Sequence, residues 1–251
     1  MKRSYWHTYV QETDADEIER HLQRTRFTSG GKSFELIYFE EGKNAPTILI
    51  SQGSGGHAYV FAELGYLLHL RGYNVFLMPK QGGFTIGELM TRHEDALEHI
   101  ATHWNDRIGV FAEGLGGFVV FYLALTQSPM KSVAFQNAPA ILTEAAFRAA
   151  VLQGYLHNPA FDRWYPLSAI MSLLLTPPPH PLTALQIPTM FLVALRGFGG
   201  SAYVQYLEDL YQRLPNVTKR FVEVDGSVYW MLSHPQEAAH LISEWFDETL
   251  V

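Results

Sequence analysis

The sequence predicts an α/β chain: a doubly wound, mostly parallel sheet with a small helical cap inserted near residues 140–186. Short apolar runs alternate with helix-length amphipathic runs along most of the chain, the pattern of strands joined by helical crossovers. Several of these runs, PTILIS (46–51), RIGVFA (107–112) and TMFLVAL (189–195), are almost wholly apolar, as strands covered on both faces are. With 47% hydrophobic and 17% charged side chains, the 251 residues can bury one sizeable core, so 1–251 reads as a single domain.

TDADEIERHLQRT (13–25) opens on a Thr/Asp cap signal with acids in its first turn, and Ile18 and Leu22 among polar residues predict a short amphipathic helix. FELIYFE (34–40) and PTILIS are strands separated by the turn-forming EGKNA. The glycine-rich QGSGG follows Ser51, and AYVFAELGYLLHLR has the length and spacing of a buried helix ending near Gly72. YNVFLMP (73–79) is a strand, KQGGFTI a loop, GELMTRHEDALEHIATHW (87–104) a helix and RIGVFA the next strand. GLGGFVVFYLAL (114–125) predicts a helix, SVAFQNA (132–138) and TMFLVAL strands, and AYVQYLEDLYQRL (202–214) a helix. RFVEV (220–224) is the last strand and PQEAAHLISEWFDETL (235–250) the closing helix. The stretch 140–186 breaks the alternation with two helix-like runs and the proline-rich TPPPHPL (176–182), where helix is excluded. Such an insertion either roofs the carboxyl ends of the strands, where ligands bind in sheets of this kind, or forms a surface excursion with its own core.

Lys and Arg total 18 against 25 Asp and Glu, a formal charge of -7 that argues against nucleic acid or an anionic lipid surface as a partner. The absence of cysteine removes disulfides, thiolate metal sites and a thiol nucleophile. No run approaches the roughly 18 apolar residues of a membrane span, and the polar start of the chain leaves a cytoplasmic protein as the expectation. His93 falls on the apolar stripe of Leu89, Leu97, Ile100 and Trp104 and is expected at the edge of the core. Asp95, His99 and His103 line the opposite face with Arg92, Glu94 and Glu98, which reads as a solvated face rather than a metal site. QGSGG lacks the G-x-G-x-x-G spacing and GLGG follows the fourth strand-like run, so no dinucleotide cofactor is expected.

The small residues where RIGVFA runs into EGLGGFVVFYLAL permit a sharp strand-to-helix turn. With QGSGG after PTILIS, AEGLGG (112–117), the insertion and the final HPQEAAHLI helix, the chain resembles the α/β-hydrolase superfamily over almost its whole length. The resemblance implies an oxyanion loop at QGSGG and a nucleophile elbow at AEGLGG. The family's elbow, G-x-S-x-G-G, puts Ala112 at the first glycine, Glu113 at the variable position and Gly114 where the serine stands. The family's histidine lies after the last strand, where this chain has Val228 beside Tyr229 and Trp230, while His234 matches the entry of the final helix. The family's acid follows TMFLVAL, yet Arg196 through Leu207 contain no Asp or Glu. The resemblance therefore implies a degenerate member without the Ser-His-Asp triad, because a nucleophile needs a base and the base an orienting group.

What the family's pattern leaves is its anion-binding half, the backbone N–H groups of Leu115 and Ser54. A pocket of Gly53, Ser54, Gly114, Leu115, Val228, Tyr229 and Trp230 is expected to hold a small carbonyl or carboxylate ligand; alternatively the glycines serve only the turn, and Tyr229 or Trp230 fills the hole. Three functional readings stay open. One is a non-catalytic binder of a small-molecule ligand or a partner protein, a pseudoenzyme. Another is an atypical esterase-like hydrolase or lyase using displaced groups, Ser54, His57 or Glu113, although a side chain at the variable elbow position, such as that of Glu113, is expected to point away from the pocket mouth. The third is a scaffold or homo-oligomeric interaction protein in which the aromatic set Tyr155, Phe161, Trp164 and Tyr165 either offers the contact surface or forms the insertion's own core.

Overall fold

A computed structural model describes residues 5–53, 57–79, 85–126, 128–138, 172, 175–196, 200–215 and 218–250. Its strands are β1 (Gln23–Ser29), β2 (Lys32–Phe39), β3 (Thr47–Ser51), β4 (Asn74–Leu77), β5 (Ile108–Glu113), β6 (Ser132–Gln136), β7 (Thr189–Ala194) and β8 (Lys219–Val224). Its helices are α1 (Ala15–His21), α2 (Ala62–His69), α3 (Ile86–His103), α4 (Gly114–Ala124), α5 (Gly200–Arg213), α6 (Trp230–Ser233) and α7 (Pro235–Thr249). The strands form one sheet in the order β1-β2-β4-β3-β5-β6-β7-β8. From β3 to β8 every pairing is parallel, and β1 and β2 add an antiparallel margin.

Both faces of the sheet are covered, which is why its central strands are apolar throughout. On one face Leu49, Val110, Val133 and Phe191 pack with Leu89 and Leu97 of α3, Val119–Leu123 of α4 and Leu207 of α5. On the other, Ile48, Ile50, Phe111 and Ala134 pack with α2, α7 and Ile18 of α1. The Trp245 indole N–H donates to the carbonyl of Val133 at 3.0 Å and fixes α7 on its face. At the start of α3, Thr85 and Glu88 make a reciprocal capping box.

The hairpin of β1 and β2 departs from the sequence reading, which extended the first helix to residue 25. Asp14 caps α1, accepting from the Asp16 N–H at 3.0 Å, but the helix stops at Leu22, whose backbone is extended. From there alternation takes over, with Phe27 and Ser29 inward and Arg24, Arg26 and Thr28 outward. Gly30 and Gly31, at φ 53° and 73°, close a two-residue turn that pairs Ser29 with Lys32. Gly-Gly between alternating runs was the available signal.

Before α1, Trp6 is buried and stacks on Tyr59. Glu63 of α2, only 3% exposed, accepts the backbone N–H groups of Gln11, Glu12 and Thr13 at 2.7, 2.8 and 2.7 Å. The expected cap falls mostly on residues 139–171 and 173–174, outside the described residues; at its end, TPPPHPL leads into a 3-10 turn at Leu182–Ala184.

The first turn of α4 sets the centre of the sheet. A Cβ on Gly116 would stand 2.4 Å from both the carbonyl oxygen and Oγ of Ser51, and one on Gly117 would stand 2.2 Å from Cβ of Ala138. Gly116→Ala is therefore expected to lower the free energy of unfolding by roughly 3 kcal/mol, since the obstacle is partly backbone and cannot move aside. The shift in the urea midpoint measures it, and a change below about 1 kcal/mol would mean that α4 sits farther from β3.

Candidate functional site

β5 passes into α4 through a single residue. Glu113 is extended (φ -128°, ψ 145°), Gly114 is left-handed at φ 52°, and the helix follows at once. A side chain at that φ is strained, and a Cβ on Gly114 would lie 3.3 Å from Cα of Gly53, so the loops after β3 and β5 touch. Leu115, in the first turn of α4, has a backbone N–H with no acceptor within the helix.

Glu113 reaches the loop after β3. Its carboxylate accepts the N–H of Gly53 at 2.7 Å. The strand alternation explains this: Phe111 lies on the face covered by α2 and α7, Ala112 on the other, and Glu113 returns to the first beside the end of β3. A half-buried carboxylate needs a donor, and glycine lets the backbone N–H come close, since a Cβ on Gly53 would meet Glu113 Oε2 at 2.7 Å. Burial pushes the Glu113 carboxyl up from its ordinary 4.5 to about 7, with the Gly53 hydrogen bond pulling the other way.

The remaining predicted residues are dispersed around this turn. Ser54 lies outside the described residues. His57 caps the 3-10 turn Ala58–Phe61, its Nδ1 accepting from the Tyr59 N–H at 3.3 Å, and its ring packs between Tyr59 and Tyr5. The Val228 carbonyl accepts from Nε2 of Gln136 at 3.3 Å. Tyr229, 61% exposed, is too solvated to fill a buried hole, and Trp230 is buried against Gly226 and stacked on His234. His234 enters α7 as expected, with Nδ1 2.9 Å from Ser233 Oγ. Where the resemblance placed the acid and the histidine, Arg196 after β7 instead pairs with Asp225 after β8 at 3.0 Å.

A serine–histidine contact that sequence reasoning missed lies under the elbow. His93 is fully buried rather than at the core edge. Its Nδ1 is 2.7 Å from the Leu89 carbonyl, which can only accept, so the proton sits there and Nε2 accepts from the Ser51 hydroxyl at 2.7 Å. Burial pushes His93 down to about 4 and keeps it neutral. Ser51 is equally buried, turned into the core beneath α4. The available signals were a hydroxyl ending an apolar strand and a histidine on an apolar stripe, 42 residues apart in sequence.

The hairpin also corrects the outer face of α3. Arg92, expected in solvent, is 3% exposed with its guanidinium 4.1 Å from the Phe34 ring, and His99 approaches Thr25 Oγ1 at 3.2 Å. β1 and β2 cover what the sequence reading left bare. Among the described residues, His7, Asp16 and Glu19 bring metal-type donor atoms within 4.8 Å of one another, on the N-terminal segment and α1.

Glu113 and His93 tie stability to pH with opposite signs. The raised Glu113 carboxyl gives stability that is present below pH 4.5 and is lost as pH rises to 7; the lowered His93 gives stability present above 6.5 and lost as pH falls to 4. Each is on the order of 3 kcal/mol, so the two offset one another where their ranges overlap, between pH 4.5 and 6.5. Glu113→Gln is expected to leave a urea midpoint that climbs with pH across that window, where the wild type is nearly level. Equal slopes for the two proteins would mean that Glu113 titrates normally.

No protein-family model matches the chain, and no curated protein does. Solved structures do. An esterase of Pyrococcus furiosus superposes with a TM-score of 0.73 at 14% identity, covering 96% of this chain and 98% of that one. An esterase of Pyrobaculum calidifontis gives 0.72 at 16% identity over 92% and 88% of the two chains. A dienelactone hydrolase of Anabaena variabilis gives 0.64 at 18% identity over 92% and 100%. At such identities the likeness is one of architecture, and together with the parallel sheet, its crossovers and the turn at Gly114 it establishes that this chain has the α/β-hydrolase fold.

Proposed function

We propose that the chain is an α/β-hydrolase-fold binding protein that has lost serine-hydrolase chemistry at its elbow and takes a small carbonyl or carboxylate ligand between the loops after β3 and β5. Gly114 carries this reading: a residue without a side chain stands at φ 52° at the apex of the turn where the resembled family places its serine. The pairing of Arg196 with Asp225 supports it, since the carboxylate at the end of β8 is engaged by an arginine rather than by a histidine. Leu115, with its N–H at the start of α4, supplies a donor for the ligand oxygen. The stretch 140–186 as a cap, and a cytoplasmic location, belong to the same proposal. No helix among the described residues is long and apolar enough to cross a membrane.

A second reading, an atypical esterase, has one observation in its favour: a carboxyl near 7 at the elbow is part-ionised at neutral pH and has the proton affinity of a general base. A p-nitrophenyl ester panel with acyl chains of graded length separates the two. Wild type and Gly114→Ser are expected to match the protein-free rate, because a serine alone lacks base and orienting acid. The serine variant should also lose about 1–3 kcal/mol of stability from its left-handed backbone. Saturable turnover by the wild type, abolished in Glu113→Gln or His57→Ala, would replace the binding reading with a displaced catalytic set.

A further inference from the structure

Among the described residues, two buried side-chain amide atoms without a hydrogen-bonding partner, Gln52 Nε2 and Gln136 Oε1, belong to residues at the carboxyl ends of β3 and β6. Gln52 is 1% and Gln136 0% exposed. In such surroundings an amide without a partner has given up water and received nothing in return, so it is uncommon unless something else completes it.

The sheet register puts these groups in a row. Glu113 and Gln136 are partners across β5 and β6, and Ser51 and Ala112 across β3 and β5. Ile50, Phe111 and Ala134, each two residues earlier than Gln52, Glu113 and Gln136, all lie in the core beneath α2 and α7. The period of two therefore directs Gln52, Glu113 and Gln136 to that same face, side by side at the ends of three neighbouring strands. The orientation of Gln136 is fixed, because Nε2 donates to the Val228 carbonyl at 3.3 Å and the flipped amide would set two oxygens together. Glu113, in the middle, is engaged by the Gly53 N–H. β5 holds the outer two apart, at roughly 9–10 Å between strands two apart, so they do not satisfy one another.

We infer that Gln52 and Gln136 select a primary carboxamide, whose carbonyl accepts from Gln52 Nε2 while its NH2 donates to Gln136 Oε1. This rests on the proposed binding site and narrows its ligand. A carboxamide with a hydrogen bond on each side spans roughly 8 Å, which suits the separation of the two strands. An ester offers no donor to Gln136. A carboxylate offers none either, and it places a second negative charge beside Glu113.

The test is a titration of the isotope-labelled full-length chain with acetamide, butyramide and hexanamide, and with the carboxylate and methyl ester of each length, followed by 15N–1H spectra. The side-chain NH2 signals of Gln52 and Gln136 are expected to move saturably with the amides, at tenfold or more lower concentration than with esters or carboxylates. Gln52→Leu is expected to remove that preference while its urea midpoint stays equal or rises, because leucine replaces a group that had no partner. Gln136→Leu, which also deletes the bond to Val228, should remove the preference too. A Gln52→Leu protein with a lowered midpoint would assign Gln52 to structure and overturn the inference. Carboxylates or esters that bind at least as tightly, with both glutamine signals unmoved, would overturn the carboxamide and leave the binding site standing. If no compound moves the Gly53, Gly114 or Leu115 amides, both readings fail.

Discussion

The arrangement around the elbow depends on one contact, the first turn of α4 against the end of β3. With no room for a single carbon between Gly116 and Ser51, the helix starts within a residue of the strand beside it, and Gly114 is driven into the left-handed region. That reversal fixes the rest. Glu113 is held against Gly53, and Ser51, locked beneath the helix, presents its hydroxyl to His93. The same tightness accounts for the glycines of the turn without appeal to catalysis, since each answers to a specific neighbour.

The elbow is also a place where charge is suppressed. On one face of the sheet a buried histidine is held neutral, and on the other a half-buried carboxyl is shifted toward its protonated form. The full ion pair nearby, Arg196 with Asp225, stays in solvent, where such a pair adds little stability.

The central sheet was legible because its strands are apolar runs of the right length and its helices carry a clear stripe. RIGVFA, TMFLVAL and the long helix before them fell within a residue or two of their observed bounds. The hairpin was not legible from apolar content, as QRTRFTS has little of it; its alternation is visible only once Gly30 and Gly31 are taken as a turn. From that one omission followed the misplacement of Arg92 and His99, whose surroundings are supplied by a strand rather than by their own helix. The glycine at the apex of the elbow was readable from local spacing. The partners of Glu113, Ser51 and Gln136 were not, because each is set by register between strands distant in sequence, which no local pattern encodes.

The Glu63 carboxylate, buried in α2, gathers three consecutive backbone N–H groups from the segment that precedes α1. Peeling that segment away would leave the Glu63 carboxylate buried without its donors, so residues 11–13 do not loosen independently of α2. Their release is coupled to loosening of α2 and of the 3-10 turn before it, where Trp6 stacks on Tyr59. The segment before α1 and the start of α2 thus open together, and the amides of Gln11 and Glu12 exchange their protons on the timescale of the interior although their side chains lie at the surface.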